Sequence, residues 1–201
     1  MKFIIRLFSA LIITFSYIEL AYSKTTKIII FGDSLIAGYG LVVEDNFVNQ
    51  LKLKTIENKI NNLILFNSGV SGETSTGLSN RYKWVLEDNY DGVIILIGAN
   101  DALRGIDPTL TSQNIEKILS YLKEKQIPTM LIGMKAPNNL GEIYVNEFNA
   151  IYPKLSKKYD TAFYPFFLKD VVLKPKLNQK DIIVCVQGDE PMLRPDMIDT
   201  V

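Results

Sequence analysis

Four short apolar runs alternate along this chain with stretches whose apolar residues recur every three or four positions. The runs are typical of strands and the spaced residues of helices. The predicted strands are residues 27–31, 63–66, 92–97 and 129–132. Their side chains are apolar on both faces, and such strands are buried when a parallel sheet carries helices on both sides. The alternation therefore predicts an α/β fold with three layers around a parallel sheet.

The predicted helices follow these strands, and each shows one apolar stripe. The stripes are Val43, Phe47 and Leu51; Leu78, Tyr82, Val85 and Leu86; Ile115, Ile118, Leu119 and Leu122; and Phe148, Ile151, Tyr152, Leu155 and Tyr159. Pro108 precedes the third stripe, and Thr109 and Thr111 are predicted to cap that helix. No repeat or linker interrupts the pattern, so the 201 residues predict one domain behind an N-terminal segment.

Residues 1–23 predict a secretory signal peptide. Lys2 and Arg6 precede an apolar run over residues 7–18, and Ala21 and Ser23 place small side chains at the −3 and −1 positions. The alternative is an N-terminal membrane anchor, but the run is shorter than the roughly 20 residues that a span needs. We therefore expect cleavage after the last of these residues, export to the periplasm, and no stable membrane span once the signal is removed.

The charged residues, the cysteine and the histidine count exclude several classes of function. The chain has 22 basic and 22 acidic residues and no basic cluster, which argues against nucleic acid as a partner. Its one cysteine, Cys185, excludes an internal disulfide and a cysteine-based zinc site. It has no histidine. These residues therefore cannot supply a histidine metal ligand, a histidine general base or a Ser-His-Asp triad.

Three of the predicted strands end in turns that carry reactive or hydrogen-bonding residues. The turns are Gly32–Leu35, Gly69–Thr74 and Gly98–Asp101. Ligands of an open parallel sheet bind beyond the carboxyl ends of its strands. There Ser34 offers a hydroxyl, and the N–H groups of Ser34 and Gly72 with the amide of Asn100 offer an oxyanion hole for acyl transfer. The alternative is that these residues are only good turn formers, but three such turns on successive strands favour a site.

These turns resemble the first three sequence blocks of the SGNH (GDSL) hydrolases, and the spacing is similar to the arylesterase, acyl-CoA thioesterase I and lysophospholipase group. The resemblance covers residues 27–181. Further matching segments are Leu103–Gly105, Tyr144–Phe148, Ile151–Leu155, Pro165–Phe167 and Leu173–Pro175. The resemblance implies a flavodoxin-like fold, Ser34 as nucleophile, and Gly72 and Asn100 as partners in the oxyanion hole. It also implies small acyl esters or thioesters as substrates, with neither a metal ion nor an organic cofactor.

The resemblance breaks near the C-terminus. The family closes its site with Asp-x-x-His; Asp181 lies where the aspartate is expected, and Val184 stands in place of the histidine. Residues 182–201 are instead similar to a strand and Gln-Gly-Asp-Glu-Pro turn of CMP-Kdo synthetase, whose aspartate corresponding to Asp189 helps hold a magnesium–nucleotide complex. That family's nucleotide-binding part is missing here, so no metal or nucleotide role is expected. We interpret the chain as a chimera: a hydrolase domain over residues 24–181, C-terminally incomplete, followed by a foreign tail.

The missing histidine predicts a crippled enzyme, because a serine hydroxyl is a weak nucleophile without a positioned base. Asp181 cannot replace it at neutral pH, since an ordinary carboxylate with a pKa of about 4 is a poor base for a hydroxyl. The first hypothesis is therefore a serine ester hydrolase by descent with little activity. The second is a non-catalytic acyl- or lipid-binding protein that retains the pocket. The third, suggested by the tail alone, is a nucleotidyltransferase fragment.

Four charged residues lie in or near the motifs. Asp33 and Asp101 are interpreted as residues that order their turns. Arg104 and Lys135 offer positive charge for an anion, although solvated surface charge is the commoner explanation.

Overall fold

The structure, a computed structural model, describes residues 24–169. Its centre is a parallel sheet of five strands in the order β2-β1-β3-β4-β5. The strands are β1 Thr26–Gly32, β2 Leu63–Gly69, β3 Gly92–Leu96, β4 Thr129–Ile132 and β5 Ala162–Tyr164. This is the flavodoxin-like order, in which the chain direction along the sheet reverses between β1 and β3 and ligands bind at that point.

Six α-helices connect and flank the strands within the described part of the chain. They are α1 Ser34–Ala37, α2 Phe47–Glu57, α3 Ser75–Val85, α4 Ala99–Leu103, α5 Pro108–Glu124 and α6 Glu142–Tyr159, with 3₁₀ turns at Val43–Asp45 and Asn138–Leu140. The predicted α/β class with a parallel sheet and flanking helices is confirmed. Among these helices, none is long and apolar enough to cross a membrane.

The second strand corrects one expectation. Residues 63–66 were expected to be buried on both faces, but β2 pairs with β1 alone and forms an edge of the sheet. Ile64 is 44% exposed and Phe66 36% exposed. Central strands β1 and β3 instead follow the expectation, because each has a neighbour on both sides and their apolar residues are mostly buried. An apolar run alone does not distinguish an edge strand from a central one.

Two helix starts also differ from the prediction, each because a side chain caps the helix at another residue. Asn46 accepts a hydrogen bond from the N–H of Asn49, so α2 begins at Phe47, and Val43 lies outside it in an exposed turn. Asp107 caps α5 by accepting from the N–H of Thr109, and neither predicted threonine does so. An acidic cap directly before a proline at the first helical position is a favourable start.

The main core lies between the central strands and helices α3, α5 and α6. Helix α5 packs against both of the others. The largest fully buried side chains include Tyr82, Tyr152, Phe31 and Phe148. The predicted signal peptide, Asp181, Val184 and the tail 182–201 fall outside the described residues.

Candidate active site

The register of the sheet aligns the three predicted turns. Gly32 at the end of β1 pairs with Gly69 of β2 on one side and with Leu96 of β3 on the other. Adjacent strands lie roughly 4.8 Å apart, so the segments that follow leave the sheet side by side. The N–H of Val70 donates to the carbonyl of Gly32 at 2.9 Å, which ties the first two turns together. The structure therefore brings the chain segments of Ser34, Gly72 and Asn100 together at the carboxyl ends of the strands.

Ser34 is the first residue of α1, and Asp33 positions it. The Oδ1 atom of Asp33 accepts from the N–H of Leu35 at 3.0 Å and thereby caps the helix. Ser34 is 6% exposed. The helix has only four residues before Gly38 ends it in the left-handed conformation, so its macrodipole is small. Stabilisation of negative charge at Ser34 is therefore expected from individual hydrogen-bond donors and not from the dipole of this short helix.

The second and third turns are joined by a side-chain bond. The Nδ2 atom of Asn100 donates to the carbonyl of Glu73 at 3.1 Å, and Asn100 is 2% exposed. This bond uses one of the two amide hydrogens and leaves the second for a ligand. Gly72 precedes the accepting residue and has a φ of +75°, a conformation that favours glycine. Asn100 and the Gly72 loop, residues 70–74 between β2 and α3, are therefore neighbours, as an oxyanion hole requires.

Gly98 sets the path of the chain into α4, which carries Asn100. Its φ is +118°, and a Cβ there would lie 2.1 Å from the hydroxyl of Tyr152. That hydroxyl donates to the carbonyl of Ile97 at 2.8 Å. The turn therefore requires glycine both for its backbone angle and for the approach of the buried tyrosine.

Asp101 fastens α4 to two neighbouring helices. It is fully buried and accepts from the N–H and hydroxyl of Ser75 at the start of α3, and from the hydroxyl of Thr111 in α5. Three donors compensate a carboxylate in this environment, which would otherwise be costly to bury. The interpretation of Asp101 as an ordering residue is confirmed, and Thr111, expected as a cap, acts instead as one of its donors.

A buried ion pair holds the Gly72 loop from the other side. The guanidinium of Arg81 donates from Nε and Nη2 to the two carboxylate oxygens of Glu73, both at 2.6 Å. It also donates to the hydroxyl and carbonyl of Ser68, and it lies 5.4 Å from the ring centre of Phe31. Sequence reasoning missed this pair, although Glu73 and Arg81 are eight residues apart across the start of a predicted helix.

Asp33, the residue directly before Ser34, carries a buried carboxyl group. Burial raises its pKa from 3.8 to about 6, and the nearby charges of Asp101 and Glu73 act in the same direction, while the hydrogen bond from Leu35 opposes them. Within residues 24–169, its buried Oδ2 atom has no hydrogen-bond partner. The role expected for Asp33, ordering its turn, is confirmed, but its cost in stability was not visible in the sequence.

This cost predicts a pH dependence of stability that Asp33→Asn removes. Because the pKa is raised in the folded state, the carboxyl costs nothing below about pH 4 and becomes fully unfavourable above pH 6. A shift of this size corresponds to about 3 kcal/mol. Urea unfolding at pH 4 and pH 8 should show that the unmodified chain loses this much relative to Asp33→Asn as the pH rises.

Asp91→Asn is the matched control, because a hydrogen bond from Lys24 lowers the pKa of Asp91. Removing the Asp91 carboxyl should change the slope of the unfolding free energy against pH in the opposite sense or leave it unchanged. Equal slopes for the unmodified chain and Asp33→Asn would contradict the assignment of a raised pKa to Asp33.

The sheet thus places the turns that carry Ser34, Gly72 and Asn100 side by side, while Asp181 falls outside the described part of the chain. Within residues 24–169, no group of three or more histidine, cysteine, aspartate or glutamate side chains is placed to hold a metal ion. A flavodoxin-like sheet with serine, glycine and asparagine at three adjacent strand ends defines the architecture of SGNH-type hydrolases.

Comparison with known proteins gives the same class. The model of the GDSL-like lipase/acylhydrolase family matches residues 30–184. The chain belongs to this family. An arylesterase of Vibrio mimicus is 32% identical over 178 residues, which cover 88% of this chain and 88% of the relative. Thioesterase 1/protease 1/lysophospholipase L1 of Escherichia coli strain K12 is 35% identical over 167 residues, covering 83% and 78%.

Solved structures agree with these relatives. The crystal structure of AlinE4, an SGNH-hydrolase family esterase, has a TM-score of 0.73 and 41% identity over 80% of this chain and 86% of that chain. The psychrotrophic esterase EstA from Pseudoalteromonas sp. has a TM-score of 0.70 and 31% identity, covering 77% and 85%. By family, the protein is therefore an ester or thioester hydrolase.

Proposed function

We propose that this chain descends from a serine esterase or thioesterase that acts on small acyl substrates through Ser34. The alignment of its turn with those of Gly72 and Asn100 is the observation that carries the proposal. The hydroxyl of Ser34 would attack the acyl carbon, and the carbonyl oxygen would become an anion. The N–H groups of Ser34 and Gly72 and the free amide hydrogen of Asn100 would donate to it. The intermediate would then break its bond to the alcohol or thiol, which leaves with the proton lost by the serine, and water would hydrolyse the acyl-serine to the free acid and Ser34.

We further propose that the chain in its present sequence is nearly inactive. Ser34 needs a base, and none of the 201 residues is histidine. Asp181 belongs to the proposed site, but its role is to orient a histidine that Val184 replaces. Loss of the triad histidine lowers turnover roughly 10⁶-fold. The oxyanion hole and substrate binding still accelerate the reaction about 10³-fold over the reaction in water.

The experiment that tests the proposal is a hydrolysis assay with chromogenic p-nitrophenyl esters of short acyl chains. An ordinary enzyme turns over about 10 times per second. We expect this chain to remain near roughly 10⁻⁵ per second, about 10⁶-fold below that value. Turnover comparable to an ordinary esterase would contradict the importance given to the missing histidine. Loss of that turnover in Ser34→Ala would still support the nucleophile.

A second candidate function is acyl or lipid binding without catalysis. One observation favours it: the loops that would surround an acyl group are held by Asn100, Arg81 and Asp101, yet the sequence supplies no histidine base. Saturable binding of a short fatty acid, measured by calorimetry in a chain with background hydrolysis, would support it. Failure to bind would oppose it.

The two termini carry separate proposals. We propose that residues 1–23 direct export to the periplasm, which the mass of the secreted chain would test. We propose that residues 182–201 are a foreign segment similar to CMP-Kdo synthetase. This tail gives little support to a nucleotidyltransferase activity, because the nucleotide-binding part of that family is missing. Tight binding of CTP would overturn that conclusion.

A further inference from the structure

Two side chains, one in α4 and one at the residue that caps its C-terminus, hold consecutive carbonyl groups of the Gly72 loop. Asn100 donates from Nδ2 to the carbonyl of Glu73 at 3.1 Å, and Arg104 donates from Nη2 to the carbonyl of Gly72 at 3.0 Å. The first of these residues belongs to the proposed oxyanion hole. The second, expected from the sequence to be an anion site or solvated surface charge, instead touches the same loop.

The spacing of the two donors follows from the helix that carries them. Residues four apart lie on the same face of a helix, and the N–H of Arg104 donates to the carbonyl of Asn100 at 3.1 Å, as that geometry requires. One rigid turn therefore presents a short amide and a long guanidinium to two neighbouring carbonyls. A lysine is a weaker substitute, because its ammonium lacks the planar fork that fixes the direction of a guanidinium bond.

Both sides of this contact are anchored independently of it. Asp101 fixes the start of α4 through Ser75, and the hydroxyl of Tyr144 donates at 2.8 Å to the carbonyl of Ile106 just beyond its end. On the loop side, Arg81 holds the carboxylate of Glu73. Because both elements are anchored, a hydrogen bond between them can fix the position of the Gly72 loop relative to α4. The same bond from a freely moving surface arginine would not.

The carbonyl of Gly72 and its own N–H lie on either side of the same Cα atom. Fixing this carbonyl orients the peptide group between residues 72 and 73, and the φ and ψ angles of Gly72, with φ at +75°, relate that plane to the N–H. A glycine explores both signs of φ at little cost. Within the described residues, a Cβ added at Gly72 would meet only Arg104, at 3.5 Å, so on that side the guanidinium alone limits the loop.

We propose that Arg104 is a positioning residue that holds the N–H of Gly72 in the direction needed by the oxyanion, acting through the Gly72 carbonyl and not by touching the substrate. The proposal rests on the proposed function, because it assigns a purpose to a donor of that site. It predicts an effect of Arg104 on turnover and a much smaller effect on the binding of a neutral substrate.

The test has two measurements. In the full chain, amide hydrogen exchange of residues 70–74 should become about 10-fold faster in Arg104→Ala and recover in part in Arg104→Lys. In the full chain carrying Ile182→Gly and Val184→His, which restores the family's Asp-x-x-His, Arg104→Ala should lower kcat for p-nitrophenyl butyrate by about 10- to 100-fold. KM should stay within about 2-fold, as for an interaction made in the transition state alone.

Lys117→Ala is the matched control, since Lys117 is also an exposed cation that donates to a backbone carbonyl, that of Ser79, away from the loop. It should change neither measurement. Unchanged exchange in Arg104→Ala would overturn the proposal, as would faster exchange with unchanged kcat. A rise in KM for an anionic ester alone would make Arg104 a substrate-binding residue instead. If the restored chain shows no turnover that depends on Ser34, the proposed function fails, and the exchange measurement alone decides whether Arg104 fixes the loop.

Discussion

Replacing Ile182 by glycine and Val184 by histidine should raise esterase turnover by up to about 10⁶. The double substitution recreates Asp-Gly-Ile-His from Asp181 onward. A histidine at this position would take the proton of Ser34 and pass it to the leaving group, while Asp181 would hold the correct tautomer. Six decades of rate correspond to about 8 kcal/mol of transition-state stabilisation. The measurement is kcat for p-nitrophenyl butyrate.

Two controls show whether any recovered activity comes from this arrangement. Ser34→Ala in the restored chain should return turnover to the background. Asp181→Asn should lower it by roughly 10⁴, because the histidine would then be held in the wrong tautomer. A restored chain that folds as stably as the unmodified one but gains no activity would contradict the assignment of Asp181 and position 184 to the site.

Replacing Arg81 by alanine should cause the largest loss of stability among the single substitutions considered. Its partner Glu73 has a side chain that is only 5% exposed and would lose its compensating cation. Breaking a buried ion pair in this way costs about 3–5 kcal/mol. For a domain of this size, such a loss lowers the melting temperature by about 10 °C. Differential scanning calorimetry measures it directly.

The matched control is Lys54→Ala, which breaks an ion pair between Lys54 and Glu57. The two side chains are 70% and 62% exposed, respectively. Exposed pairs contribute little, so the free energy of unfolding should change by less than about 1 kcal/mol. Arg81→Lys should fall between the two, because it keeps the charge and loses the paired geometry. Equal stabilities for Arg81→Ala and Lys54→Ala would show that the Glu73 ion pair does not hold the loop.

The fold and the three turns were predictable from local pattern. Apolar runs followed by Ser34, Gly72 and Asn100 indicate strand ends, and the parallel class follows from burial on both faces. The order of the strands does not follow from such a pattern. The edge position of β2, with Ile64 and Phe66 exposed, depends on which strand pairs with which. That is a property of the whole sheet.

The supporting contacts of the site were harder to predict, since they join residues distant in sequence. Asp101 and Arg104 stand beside a recognisable motif, but their partners Ser75 and Gly72 lie 26 and 32 positions away. The same holds for Asp33, whose raised pKa results from burial by the complete core. Sequence reasoning found the groups that would do chemistry and two residues that order their turns, Asp33 and Asp101, but it missed the partners of these residues and the Glu73–Arg81 ion pair.

The central claim is that Ser34, Gly72 and Asn100 surround one reacting acyl carbon, and a crystal structure of a phosphonylated chain tests it most directly. The restored chain would be treated with a p-nitrophenyl phosphonate, whose adduct imitates the tetrahedral intermediate. We predict phosphorus on Oγ of Ser34. Its oxygen should accept hydrogen bonds of about 2.7–3.1 Å from the N–H groups of Ser34 and Gly72 and from Nδ2 of Asn100. A phosphonyl group on another residue, or a Ser34 adduct whose oxygen points away from Gly72 and Asn100, would contradict the account.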